Sequence, residues 1–445
     1  MDPNTLKALE GAAGAAGGGY SGDIVLAYQS SSPYIAAYPW TSGTGFGTKY
    51  SDPSTLPTGT GRFTAFSPDG ADLAVSHSTS PYISVYPWSS GFGTKYADPS
   101  TLPTGNAQGV AFSPDGADIS ISSQNSPYVI VYPWTSGTGF GTKYSDPSSL
   151  PAANSYGSIF SPDGATIACT TQYSPYVTAY PWNSGFGTKY SNPSSLPAAN
   201  SYGSIFSPDG ANIACTTQYS PYVTAYPWSS GFGTKYSNPS SGLPARGRGL
   251  TWSPDGADLS ISHNNNPCVS VYPWSGSGFG TKYSDPSTIA TGGGMATGFS
   301  PDGADLAVAH SDSPYISVWE WSGSGFGTKY ANPSTLPTGY GGGAVFSPDG
   351  ADLAVAFYTS PYINVYPWSS GFGTKYSDPS TLPAGYMYDC IAFTPDGADI
   401  ACAHNGSPYL SVYPWTSGTG FGTKYSNPSS LPGGTGRGVA FSPAA

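Results

Sequence analysis

Four histidines are the side chains of this 445-residue chain best suited to ligate a metal or carry a proton. His77, His263, His310 and His404 all fall at one position of a repeating pattern. A zinc site needs three or four nitrogen, sulfur or carboxylate ligands brought to one point. Only His263 and His310 come from consecutive copies, and no Cys or carboxylate shares their loops at ligand spacing, so no metal site is expected. Asp69 and Asp72 recur together in most copies, and paired carboxylates could hold calcium or perform acid–base work. A calcium loop of the EF-hand kind needs a distal Glu, and the chain has only two Glu. A glycosidase pair is unique and desolvated, whereas this pair returns copy after copy, so the residues read as turn formers. No G-x-S-x-G elbow is present, and the glycine-rich stretches precede strands rather than helix N-termini, which excludes a phosphate cradle. The expectation is a protein with no catalytic residues, no cofactor and no metal: not an enzyme.

Composition narrows the class further. With 14 Lys and Arg against 25 Asp and Glu the net charge is −11, the opposite of a nucleic-acid-binding surface, so no nucleic-acid partner is expected. Cys169, Cys215 and Cys402 occupy the position held by Val75, Val308 and Val355 in other copies, and read as small buried hydrophobes. No run of about 18 apolar residues suggests a membrane span, and the N-terminus lacks the pattern of a secretory signal. Glycine (60) and proline (44) are abundant, yet 35 Tyr, 19 Phe and 11 Trp supply aromatic area that a disordered chain does not carry. The chain folds, with many turns.

The elements that position these residues come from one unit repeated nine times. Gly-Phe-Gly-Thr-Lys-Tyr occurs nine times, its lysines at 49, 95, 143, 189, 235, 282, 329, 375 and 424, a spacing of 46–49 residues. A unit reads as four short strands. The first ends at Phe66, before the Ser67-Pro68-Asp69-Gly70 turn. The second is centred on Leu73-Ala74-Val75, the third runs from Tyr82 to Tyr86, and the fourth is placed around Thr94-Lys95-Tyr96. The N-terminal copy begins at Asp23-Ile24-Val25-Leu26, already a second strand, while the C-terminal copy stops after its first strand, Val439-Ala440-Phe441. Joining the two fragments would complete one blade and remove exposed sheet edges. The expected fold is all-β: a closed nine-bladed β-propeller of four-stranded blades spanning 23–445, the last blade completed by the N- and C-terminal segments.

The F-S-P-D-G-x-x-L-A motif, followed by a strand ending in an aromatic cluster, resembles the WD-repeat propellers across residues 23–445. The chain lacks that family's Gly-His pair before the first strand, and Y-P-W stands where Trp-Asp would be, so the family's hydrogen-bonded tetrad is not expected. Residues 1–22 differ: Asp2-Pro3 starts a short helix with Leu6 and Leu9 on one face, followed by an Ala/Gly-rich tether. A short peg and linker ahead of a repetitive β-domain is similar to virion (tail-associated or decoration) proteins of tailed bacteriophages. That resemblance implies a virion or extracellular location, an anchor at Leu6 and Leu9 for other virion proteins, and a host surface protein or glycan as partner.

Comparison of the copies separates constant from variable positions. The Ser-Pro-Asp-Gly and Gly-Phe-Gly-Thr turns barely change and, in WD-repeat strand order, share one face. Variation falls in the loop before the first strand and the loop between the second and third. Four residues before the strand-ending aromatic stand Arg62, Gln108, Tyr156, Tyr202, Arg248, Met295, Gly342, Asp389 and Arg437. The four histidines end the second strand, and Tyr173, Tyr219, Tyr340, Tyr358, Tyr386 and Tyr388 populate the variable loops. Drift in solvated loops would also vary. The concentration of Tyr and Arg favours a recognition face, and its inequality between copies favours one extended partner over a lectin with identical sugar pockets. The repeat lysines are expected to protect outer strand edges, with Lys95 pairing locally to Asp98.

Overall fold

The computed structural model describes residues 21–441 apart from 28–31, 90, 200, 240, 276–277, 287, 289, 388–390, 429–430 and 435–437. These residues are all-β, arranged as nine antiparallel sheets that repeat along the chain. In the second unit the strands are Gly61–Phe66, Asp72–His77 and Ile83–Pro87, each paired with its neighbour in sequence. The turn between the first two is built by Ser67: its hydroxyl donates to Asp69 Oδ1 at 2.5 Å and accepts from the Asp72 amide at 2.9 Å. Gly70 sits at φ +71°, where a Cβ would be strained. The segment Ser21–Ala27 pairs with Gly438–Phe441 in the register Ile24 to Phe441 and Leu26 to Val439, joining the two ends of the chain in one sheet. Its strand begins at Ser21, inside the stretch read from sequence as the tether.

The fourth strand differs from expectation. It forms in four sheets only, and in the other five a single bridge such as Trp88 to Phe92 replaces it. Pairing centres on the Phe of Gly-Phe-Gly rather than on Thr94–Tyr96. Pro87 in Tyr-Pro-Trp has no N–H to extend the ladder, but Pro39, Pro133 and Pro414 accompany three of the four strands that form. Those three copies share a Thr-Ser-Gly-Thr turn closed by bonds such as Thr44 N to Thr41 O at 2.9 Å. Further along, Tyr96 N still donates to Val85 O at 3.0 Å. The copy that carries Glu320 in place of that proline has the longest fourth strand, Phe326–Lys329, paired back as far as Trp319.

Second strands are buried along their whole length because each sheet is covered on both faces. Nine apolar clusters fill the spaces, and each is shared by two sheets. Val25 and Ala37 of one sheet pack with Leu73, Val75 and Trp88 of the next; Ile24, Tyr38 and Trp40 pack with Ala401, Leu410 and Val412, so sheets from opposite ends of the sequence share a core.

A polar latch accompanies every such contact that has a carboxylate. Asp72, expected to be a turn former, is instead fully buried. It accepts from Tyr96 Oη of its own unit at 2.7 Å and from Trp134 Nε1 of the next sheet at 2.9 Å. Asp69 alone serves the turn. Asp23, Asp118, Asp258, Asp305, Asp352 and Asp399 repeat the arrangement. Asp399 takes Trp40 Nε1 at 2.8 Å, Tyr425 Oη at 2.9 Å and Ser42 Oγ at 2.5 Å. In another unit Asn212 serves both roles, donating to Tyr236 Oη at 2.9 Å and accepting from Trp274 Nε1 at 3.0 Å. This network ties sheets together where the WD-repeat tetrad was not expected.

Candidate binding face

Strand direction places the four connections of a unit at two ends of its sheet. The Ser-Pro-Asp-Gly turn and the turn after Tyr-Pro-Trp meet at one end, where Trp88 N donates to Ala71 O at 2.6 Å. The loop between second and third strands meets the incoming connector at the other, where Ser78 N donates to Thr60 O at 3.1 Å. The variable segments therefore share one end, as the comparison of copies implied.

That end carries the exposed apolar side chains. Among the described residues, the exposed large hydrophobics are Tyr173 and Tyr219 (62% each), Tyr340 (58%) and Leu102, Leu150, Leu196, Leu382 and Leu431 at 38–42%. All eight lie in the connectors or in the second-to-third-strand loops. Tyr358 stacks on Tyr386 with ring centroids 5.7 Å apart, and Tyr340 meets Tyr358 edge-on at 6.4 Å, so three tyrosines from neighbouring units form a row. Single exposed apolar side chains are ordinary; their confinement to one end is not.

The variable position of the first strand has a structural cause. In seven sheets the register slips by one residue there, so that Gly61 pairs with His77 and Phe63 with Ser76 while Arg62 pairs with neither. Gln108, Tyr156, Tyr202, Arg248, Met295 and Gly342 are the corresponding extra residues. A β-bulge re-aims one side chain without belonging to the ladder. Neighbouring units touch through this position: Arg62 Nη1 donates to Gln108 Oε1 at 3.4 Å, and Arg248 Nη1 lies 3.4 Å from Met295 Sδ. Arg248 also donates to Asn264 Oδ1, at a groove lined by Asn264, Asn265, Asn266, Gly292, Gly293 and Asp312. Tyr388, Arg437, Leu6 and Leu9 lie outside the described residues.

The histidines do not join this face. His77, His263, His310 and His404 are fully buried, each with Nε2 3.0–3.1 Å from the hydroxyl of Ser84, Ser270, Ser317 or Ser411 on the third strand. Burial pushes all four imidazoles down to about 4, so they are neutral at pH 7. A signal for this was present in the copies. Serine stands seven residues after the histidine in all four, whereas Ser123, Thr171, Thr217 and Phe357 are followed by Ile130, Thr178, Thr224 and Asn364. No group of three or more His, Cys, Asp or Glu able to hold a metal occurs among the described residues.

Each repeat lysine donates to the residue three positions on, Asp98 for Lys95 and Asn192 for Lys189. Cys169, Cys215, Cys268 and Cys402 are buried and not joined in disulfides; burial pushes Cys169 and Cys268 up to about 12, which keeps these two unreactive.

No family model and no curated protein matches the chain. Solved structures do. A crystal structure of a eukaryotic initiation factor superposes with a TM-score of 0.60 at 13% identity, covering 96% of this chain and 99% of that one. Dihydro-heme d1 dehydrogenase NirN in complex with DHE gives 0.56 at 12% identity, covering 82% of this chain and 73% of that one. Both are propeller-type folds, and the likeness is one of fold alone.

Proposed function

We propose that the protein is a closed nine-bladed propeller acting as a non-enzymatic binding platform, with the variable end of its sheets as the surface that meets one extended macromolecular partner. The ring reading is supported by nine shared cores and by the Asp399–Trp40 latch between distant ends of the sequence. The binding reading rests on one observation: every exposed large apolar side chain among the described residues lies in the connections of that end. A partner that buries Tyr173, Tyr219 and Tyr340 gains aromatic area already held by a rigid scaffold.

Replacing these three tyrosines with Ser is expected to weaken partner binding by tenfold or more, roughly the loss of a few contact residues worth more than 1 kcal/mol. Their exposure makes the melting temperature insensitive to the change. Titration of immobilised partner with wild-type and triple-variant protein checks this, and equal affinities would return the face to neutral drift. A lectin reading remains a second proposal for one pair of units only: Tyr173 and Tyr219 repeat in near-identical copies, each beside a Gln, whereas no other unit places an aromatic at that position.

The virion setting is proposed on residues 1–22 alone. Deleting residues 1–19 leaves every described strand intact, the first of which begins at Ser21. Thermal stability is expected to stay unchanged while incorporation into particles is lost. Normal incorporation of the shortened chain would remove the anchor.

A further inference from the structure

All four arginines of the chain gather at one place in the repeat. Arg62 and Arg248 hold the bulge position, Arg437 stands at the corresponding place in the sequence of its copy, and Arg246 lies two residues before Arg248. The other cations are accounted for differently: nine of the ten lysines donate to a neighbouring Asp or Asn side chain. Arg62 has no such arrangement. Among the described residues no carboxylate lies within ion-pair distance of it, although the protein carries an excess of eleven negative charges.

Beside it, Gln108 of the next sheet is only 7% exposed. Its carbonyl oxygen takes the long 3.4 Å bond from Arg62 Nη1, and its Nε2 is buried with no acceptor. Arg62 Nε is likewise buried with no acceptor. Two adjacent buried donors, one cationic, are thus left without partners, an arrangement that folded proteins rarely keep without a use. Both face a need for acceptor oxygens, and a guanidinium matches a planar or tetrahedral oxyanion better than any neutral group does.

We propose that Arg62 and Gln108 form a binding site for an oxyanion group, a carboxylate or a phosphate, at the rim made by the first strands. Arg62 supplies charge and Nε, and Gln108 supplies a neutral donor from the adjoining sheet, so the site exists only where those two sheets meet. The bulge at Arg62 frees its side chain from the ladder to do this. The site extends the binding-face reading by naming one chemical group the face accepts, yet its test needs no macromolecular partner, so either can fail alone.

Calorimetric titration of the full chain with citrate and, separately, inorganic phosphate, at ionic strength matched with sodium chloride, tests it. Wild-type protein is expected to bind one equivalent of at least one of the two anions saturably. Binding of one and not the other assigns the group. Arg62→Met, which installs the residue Met295 holds at the same position in another unit, is expected to weaken binding at least tenfold. Gln108→Leu is expected to weaken it severalfold, and Lys235→Met, which removes one cation on a distant unit away from this face, to leave it unchanged. Melting curves confirm that each variant is folded. Absence of saturable binding to wild type, or an equal loss in Arg62→Met and Lys235→Met, would overturn the site in favour of diffuse attraction.

Discussion

Asp399→Ala is expected to destabilise the protein by on the order of 3 kcal/mol or more, because it strands three donors at once. Trp40 Nε1, Ser42 Oγ and Tyr425 Oη all end on that carboxylate, and hydrogen bonds to charged groups contribute roughly 1.5–3 kcal/mol each. Burial holds the Asp399 carboxyl above its usual range, while hydrogen bonds from Ser42, Trp40 and Tyr425 pull it back. Asp399→Asn is expected to lose no more than about 1 kcal/mol, since Asn212 already performs the same two roles elsewhere. The comparison that matters is with Asp72→Ala, which breaks the same latch between sheets consecutive in the chain. In a closed ring the two joints are of the same kind, so the urea midpoint falls in both variants, and in Asp399→Ala by at least as much because Ser42 is stranded as well. A silent Asp399→Ala beside a destabilised Asp72→Ala would break the ring proposal.

Acid is expected to unfold the protein earlier than its carboxylates alone would. The four buried imidazoles titrate at about 4 in the folded chain and near 6.5 when unfolded. Above pH 6.5 both states are neutral at these positions and nothing is gained or lost. Between 6.5 and 4 only the unfolded chain takes up the protons, so stability falls as pH falls through that window and levels off below it. By pH 5 the loss is on the order of 1–2 kcal/mol for each histidine. Replacing all four with Ser, the residue at position 123 in a sister unit, is expected to flatten the urea midpoint between pH 7 and pH 5. A wild-type midpoint that does not move over that interval would show that the imidazoles reach solvent.

The legible part of this fold was the part written nine times. Turn chemistry at Ser67–Gly70 and the alternation of Tyr82–Tyr86 specify hairpins locally, and nothing in the tertiary structure competes with them. The fourth strand was legible only in part: Tyr96 N does reach Val85 O, but the assigned ladder lies at the preceding Phe, and which copies form it follows the length of the turn after Tyr-Pro-Trp rather than the strand's own residues. The histidines were misread because polar residues at a strand end normally face water, while sheets covered on both faces leave no polar side to infer from. Asp72 escaped for a different reason: seven of the nine copies keep Asp at this position, which offers little contrast, and its partner Trp134 lies 62 positions away. What variation did reveal was the end of the sheets where side chains are free to differ.

The latch has a direction. Each carboxylate holds an indole from the unit that follows it, so every repeat contributes half of two joints and a whole joint to none. A single excised unit would therefore carry two incomplete sockets and no reason to fold alone. Removal or insertion of one entire period, by contrast, reproduces the same mating surfaces on either side of the cut. Residues 152–195 and 198–241 are nearly the same sequence, which is what such a splice leaves behind. The molecule is thus a chain of interchangeable couplings, and, under the ring proposal, its circumference is the quantity that can change between one lineage and the next without any joint being redesigned.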